Sequence, residues 1–349
     1  MTSPRTQRGI LVRRIVPAAF LAVLIGLTFW ILNRSQFRTV EGHVFGTTYH
    51  IKYSATRDLS ADIESALCDV DAALSMFNPE STLSLFNAGV DYAPNRFFDD
   101  VVTLGLQISK ETDGAFDMTV APLVNAWGFG FKNREDLTDA QIDSIREFVG
   151  YDKLTFNAKA TPTLKRSDSR VTIDCGAIAK GYGVQSVAQM LESKGCRNFM
   201  VEIGGEVVVK GTNPDGKKWT LGITKPIDDP TNQQAELQET IAITDRAVAT
   251  SGNYRNFYMK GERKYAHTID PATGYPVEHS LLSATVIHPN CAAADAYATA
   301  FMVMGLEQAQ HFVENHKDLE AYLIYSDDQG NMQIWQSSRF ARYLHTPKH

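Results

Sequence analysis

The sequence predicts an α+β protein: one large domain with a helical N-terminal portion and a strand-rich remainder. Three observations predict it. Helical hydrophobic periodicity prevails before about Arg170, and strand-like runs prevail after it. Strands and helices then mix without strict βαβ alternation, which argues against a wound parallel sheet. The 349 residues are 44% hydrophobic and 21% charged, a globular balance that supplies a large core and excludes disorder of the whole chain.

The chain opens differently from the rest. Ile15 to Leu32 is an uncharged apolar run of eighteen residues, with Arg5, Arg8, Arg13 and Arg14 before it and Arg34 after it. That length just suffices to span a bilayer. A cleaved signal peptide has an apolar region of about 7–15 residues and a small-residue cleavage site, whereas this run ends in TFWILNRSQF without one. The favoured reading is an uncleaved anchor: 1–14 a basic cytoplasmic segment, 15–32 the transmembrane or signal-anchor span, and 38–345 a domain on the periplasmic side of a bacterial inner membrane, oriented by the positive-inside rule. No cysteine follows the run, so a lipid anchor is not expected there. The first 34 residues hold five arginines and no acid; with a whole-chain net charge of −6, the exported part carries −11, which speaks against a nucleic-acid partner.

Residues 38–53, TVEGHVFGTTYHIKYS, alternate in the β manner around a central glycine. A helix follows, with Ile63, Leu67, Val70 and Leu74 on one face. A second helix is expected from Asp99 to about Glu111, stopped at Gly114. A third starts at Thr138, where TDAQ is a capping box, and ends near Gly150. After Arg170 the runs RVTIDCG, NFMVEIGGEVVVKG, WTLGITK, LQETIAI, KYAHTID and LLSATVIH read as strands, with one helix between the first two and TNPDGKK as a hairpin turn. The stretches NAKATPTLKRSD and IDDPTNQQAEL read as surface loops. The chain closes with a helix over the alanine-rich 292–301, another near Glu307 to Glu314, and strands at EAYLIYS and NMQIWQ. Cys68, Cys175, Cys196 and Cys291 lack CxxC spacing, so no zinc site is signalled; disulfides stay open in an oxidising compartment, and reduced, buried thiols are the default.

The densest chemical signal is TIDCGAIAKGYG, a run followed by small residues and one cation, Lys180. Small residues at a strand-to-helix junction let backbone N–H groups approach an anion, though a lone glycine cluster more often solves backbone geometry only. Asp295 and Thr299 stand four apart on one helical face, two hard oxygen donors suited to magnesium or calcium. Read alone, Asp295 is better taken as a helix cap. HTIDPATGYP offers a histidine and a turn, and GAFDMTV and NAWGFGF set aromatic residues beside glycines.

Eight segments in order, FGTTY, SMFNPESTLSLFN, GAFDMTVAPLVNAWGFG, DCGAIAKGYGV, VEIGGEV, ATSGNYRNF, HTIDPATGYP and ADAYAT, resemble the ApbE-like family, the FAD:protein FMN transferases, over nearly all of residues 41–305. The resemblance implies a single ApbE-like, T-fold-related catalytic domain. It implies that FAD is held with Mg²⁺, that its pyrophosphate is split, and that FMN moves onto a threonine or serine hydroxyl of an acceptor protein as a phosphoester, releasing AMP. The implied metal ligands are the Asp295 carboxylate, the Thr299 hydroxyl and the Ala177 carbonyl; Ca²⁺ is not distinguished from Mg²⁺ by ligand type. The implied FAD contacts are Phe45, Phe77, Ala115, Phe116, Asp117, Asp174, Lys180 and Ile269. Relatives often carry methionine at the position of Phe45 and tyrosine at that of Phe77. His267 is the candidate base for the acceptor hydroxyl, and Asp295 its catalytic companion. The acceptor is expected to be a subunit of a membrane redox complex. Two other functions stay open on the residues: a Mg-dependent FAD pyrophosphatase, and a flavin carrier without turnover, against which the metal pair argues.

Overall fold

The computed structural model describes residues 20, 21, 24, 35–129, 137–159, 161–226, 236–252, 257–260, 263–266 and 268–345. Of the expected anchor, only Phe20, Leu21 and Leu24 are among these, helical and exposed; the rest of 15–32 lies outside the described residues. Among the described residues no helix is long and apolar enough to cross a membrane.

An eight-stranded antiparallel sheet organises the chain, in the order β1 (Gln36–Val44), β2 (Thr47–Ala55), β5 (Phe199–Ile203), β6 (Glu206–Lys210), β9 (Arg246–Gly252), β12 (Leu281–His288), β13 (Glu320–Ser326), β14 (Met332–Gln336). Two of its hairpins turn in two residues, and both turns need left-handed backbone: Phe45 and Gly46 have φ of 51° and 74°, Gly204 and Gly205 of 61° and 105°. Period-2 alternation then sorts each strand onto two faces. On β6, Val207 and Val209 join one core with Trp219, Ile241 and Phe340, while Val208 joins another with Val184, Val187 and Cys291. Glu206 therefore shares the face of Val208.

Helices cover that second face: α1 (Ser60–Leu74), α2 (Thr82–Asn87), α3 (Arg96–Glu111), α6 (Ala179–Ser193) and α7 (Cys291–Met304). The opposite face is covered by a separate two-stranded sheet, β7 (Trp219–Thr224) with β8 (Leu237–Ile243), and by the 3₁₀ turn Phe340–Tyr343. The described residues also form two further hairpins, β3 (Leu154–Asn157) with β4 (Thr163–Arg166) and β10 (Phe257–Lys260) with β11 (Arg263–Ala266), and the helices α4 (Ala121–Ala126), α5 (Asp139–Arg146) and α8 (Leu306–Asn315).

Several expectations are met residue by residue. α1 buries Ile63, Leu67, Val70 and Leu74; Thr138 and Gln141 form the capping box of α5. α3 begins three residues earlier than expected because Asn95 accepts from the Phe97 and Phe98 N–H groups, and α5 ends at Arg146, short of Gly150. Other expectations are corrected. RVTIDCG is no strand: the Asn87 side chain bonds both the N–H and the carbonyl of Ile173, and Asp174 N–H bonds the Met118 carbonyl, which takes the groups a ladder would use. TNPDGKK does not join paired strands, since β6 and β7 lie in different sheets; the Asn213 side chain closes the turn on Asp215 and Lys217. NAKATPTLKRSD contains β4 and is half of a hairpin, while IDDPTNQQAEL lies mostly outside the described residues. All four cysteines are free; three are buried as expected, but Cys68 is exposed.

Candidate active site

A cavity of ≈ 460 Å³ forms where the loop before α6, the start of β6, the end of β9, the GAFDM turn, the segment 268–271 and one face of α7 meet. Ala115, Phe116, Asp117, Asp174, Ala177, Lys180, Ile269, Asp295 and Thr299 all line it. The sequence had spread them from 115 to 299; the sheet and the helices α6 and α7 bring them together. A second cavity of ≈ 500 Å³, lined by Met76, Phe77, Asn87, Phe129 and Ile173 among others, shares Val124 and Asp174 with the first.

The helix α7 is buried almost all round, which is why its sequence shows alanines in place of an amphipathic stripe. Its N-cap is Asn290, whose side chain accepts from the Ala293 N–H. Asp295, 3% exposed, lies in the helix interior, so it does not cap its own helix. Its Oδ2 instead accepts from the Gly181 N–H of α6 at 2.9 Å, and α6 has no side-chain cap of its own. Gly181 makes this bond sterically feasible: a Cβ there would stand 2.4 Å from the Cys291 carbonyl oxygen and 2.7 Å from the Asp295 Cβ. One turn on, the Thr299 hydroxyl meets the Ser251 hydroxyl at 3.2 Å.

Lys180 Nζ pairs with Glu206 Oε1 at 2.6 Å. Burial works against the ammonium, but the carboxylates of Asp295 and Glu206 outweigh it, and the Lys180 pKa is raised. Burial, followed by the Asp295 charge, raises the pKa of Glu206 despite Lys180. Asp117 and Asp174 are also raised by burial; Thr119 and Tyr151 N–H groups oppose this at Asp117, and the Gly176 N–H at Asp174. Both Asp117 oxygens are taken by the chain itself, Oδ1 by the Thr119 N–H and hydroxyl and Oδ2 by the Tyr151 N–H, so its carboxylate fixes the GAFD turn.

Two expected residues lie elsewhere, and a third is not among the described residues. Phe45 packs its ring over Gly183 of α6, where an added Cβ would stand 2.5 Å from it, and does not line the cavity. Phe77 is 78% exposed at the second cavity. His267 lies outside the described residues, next to Thr268 and Ile269, which line the first cavity. The DPATG turn that follows is pinned by the Trp127 Nε1–H to the Gly274 carbonyl, at 2.8 Å, which links the NAWGFG and HTIDPATG segments. Sequence reasoning missed Glu206, Ser251 and Met118 as lining residues. EVVVK, three valines in a row between two charges, does not alternate, so no local signal sets Glu206 on the helix-covered face.

The ApbE family model matches residues 45–323. The FAD:protein FMN transferase of Haemophilus influenzae is 37% identical over 306 residues, covering 84% of this chain and 87% of its own. That of Vibrio cholerae is 36% identical over 316 residues, covering 87% and 92%. The solved flavin transferase ApbE from Vibrio cholerae aligns with a TM-score of 0.78 at 36% identity, over 89% of this chain and 100% of its own. With a family match across most of its length and these folds in common, the chain belongs to the ApbE family.

Proposed function

We propose that this chain is an FAD:protein FMN transferase whose FAD extends through the two adjoining cavities. The observation that carries this reading is the convergence of Asp295, Thr299, Ala177 and Lys180 in one cavity of ligand-binding size. Asp174 and Val124 line both chambers, which sets the two side by side, one for each ring system of a dinucleotide. The donors fit a hard divalent cation, Mg²⁺ or Ca²⁺: a carboxylate, a hydroxyl and a main-chain segment, in a cavity lined by four carboxylates and one ammonium. When bound, the cation supplies charge neutralisation at the pyrophosphate oxygens.

Lys180 stays protonated and adds a fixed positive charge beside those oxygens. The acceptor hydroxyl oxygen bonds to the FMN phosphorus as the bond to the AMP oxygen breaks, and the hydroxyl proton passes to His267. The acceptor is a threonine or serine in a subunit of a membrane redox complex. Residues 15–32 hold the enzyme in the inner membrane with its domain in the periplasm, a reading supported by the arginine asymmetry around that run. Protease digestion of spheroplasts should then remove the domain; its survival until lysis would contradict that orientation.

Asp295→Asn keeps volume and removes the charge. AMP release from FAD and Mg²⁺ should fall by at least about 100-fold, with stability lowered by only about 0.5–2 kcal/mol for the weakened bond to Gly181. A folded variant with parental AMP release would remove the cation from Asp295.

A further inference from the structure

Glu206 is the first residue of β6, just past the Gly204–Gly205 turn, and is 2% exposed. Its Oε1 is held by Lys180. Its Oε2 is fully buried and has no hydrogen-bond partner among the described residues, although the side chain lines the cavity. A buried carboxylate oxygen without a partner is costly, and native chains keep one where a ligand supplies the missing contact.

The surroundings say which ligand. Glu206 and Asp295 line the same cavity, Lys180 is the one ammonium among its lining residues and is held by Glu206 Oε1, and Asp295 accepts the N–H of Gly181, the residue after that lysine. A neutral hydroxyl arriving at Oε2 would satisfy that oxygen but leave two carboxylates repelling each other. A divalent cation satisfies the oxygen and reverses the repulsion, and hard cations take carboxylate oxygen. Asp117 and Asp174 also line the cavity, but both Asp117 oxygens accept from Thr119 and Tyr151, Asp174 Oδ1 accepts the Gly176 N–H, and neither residue holds a buried oxygen without a partner.

We infer that Glu206 is a carboxylate of the cation site, facing the bound metal with Oε2 while Oε1 holds Lys180. The inference rests on the reading that a divalent cation binds at Asp295 and Thr299. Lys180 is then positioned by the same side chain that faces the metal, so the two positive charges keep a fixed relation.

The test is Mn²⁺ binding to the full chain without FAD, with free Mn²⁺ followed by electron paramagnetic resonance and Mg²⁺ as competitor. Glu206→Gln should weaken Mn²⁺ binding by about 10- to 100-fold, and Asp295→Asn by at least as much. Glu206→Gln with parental affinity, beside a loss in Asp295→Asn, overturns the role of Glu206 and leaves the cation reading standing. No Mn²⁺ binding by the parental chain, or parental binding by Asp295→Asn, overturns both. If Glu206→Gln does not fold, Glu206→Asp decides: it keeps the charge but withdraws the oxygen, so weakened binding supports the role and parental binding overturns it.

Discussion

At position 181 a single hydrogen sets the spacing of two helices. A methyl group there would meet the Cys291 carbonyl, which is backbone and cannot turn aside. Gly181→Ala should therefore cost about 1–3 kcal/mol, the usual range for overpacking a tight contact, and should displace Asp295 from the α6 N–H it now accepts. Urea unfolding and AMP release measure the two effects; a variant with parental stability would show that α6 and α7 do not depend on this approach. The alanines around Asp295 act in the same way, since Ala292, Ala293, Ala294, Ala296 and Ala298 are all buried between helix and sheet. The residue pattern was legible in the sequence as small, but its cause was not, because the neighbour that demands it lies more than a hundred positions away.

The helix α7 separates two roles that its sequence blends. Asn290 caps it, and Asp295 serves the cavity and the start of α6. Asn290→Ala should lower stability by about 1 kcal/mol while leaving AMP release within a few-fold of parental, the reverse of the outcome for Asp295→Asn. A thermal melt beside a turnover assay distinguishes them. Local signals located most elements: the stripe of α1, the capping box of α5 and the short apolar, β-branched run of β12 all rest on neighbours in sequence. The misses share a different origin. TIDC has strand composition, but Asn87, from α2, occupies the backbone groups of Ile173. TNPDGKK has hairpin chemistry, but sheet membership is decided by what β6 and β7 pair with, and no turn encodes that. β9 went unread because RAVATSG shows no clear alternation; its small residues fit beneath α7.

Two buried histidines are among the groups that join the stability of the whole molecule to pH. Burial lowers the pKa of His279 and His288 below their ordinary 6.5, and at His279 the Nδ1 atom accepts the Leu281 N–H, which requires that atom to be unprotonated. The unfolded chain takes up these protons first, so the stability is fully present above pH 6.5 and is lost as pH falls through the lower folded values. The raised carboxyls of Glu206, Asp117 and Asp174 act in the opposite sense, so the test is a difference: between neutral pH and pH 5 the parental urea midpoint should lose more than that of His279→Gln, and equal changes would remove His279 from the acid response. The site itself was legible mainly through the order of its motifs, since nine positions scattered along the chain line one cavity only after the sheet and helices assemble. Glu206 was not legible, because a glutamate opening a strand is ordinary until its burial and its unpaired oxygen are known. The most direct measurement incubates the full chain with FAD, Mg²⁺ and a flavin-acceptor protein, then assays AMP and protein-bound fluorescence on a denaturing gel. Transfer predicts AMP together with a fluorescent acceptor band, both abolished by chelation of the metal. AMP without the band would mean hydrolysis, and the absence of AMP would mean that the chain only holds its flavin; either result contradicts the transferase.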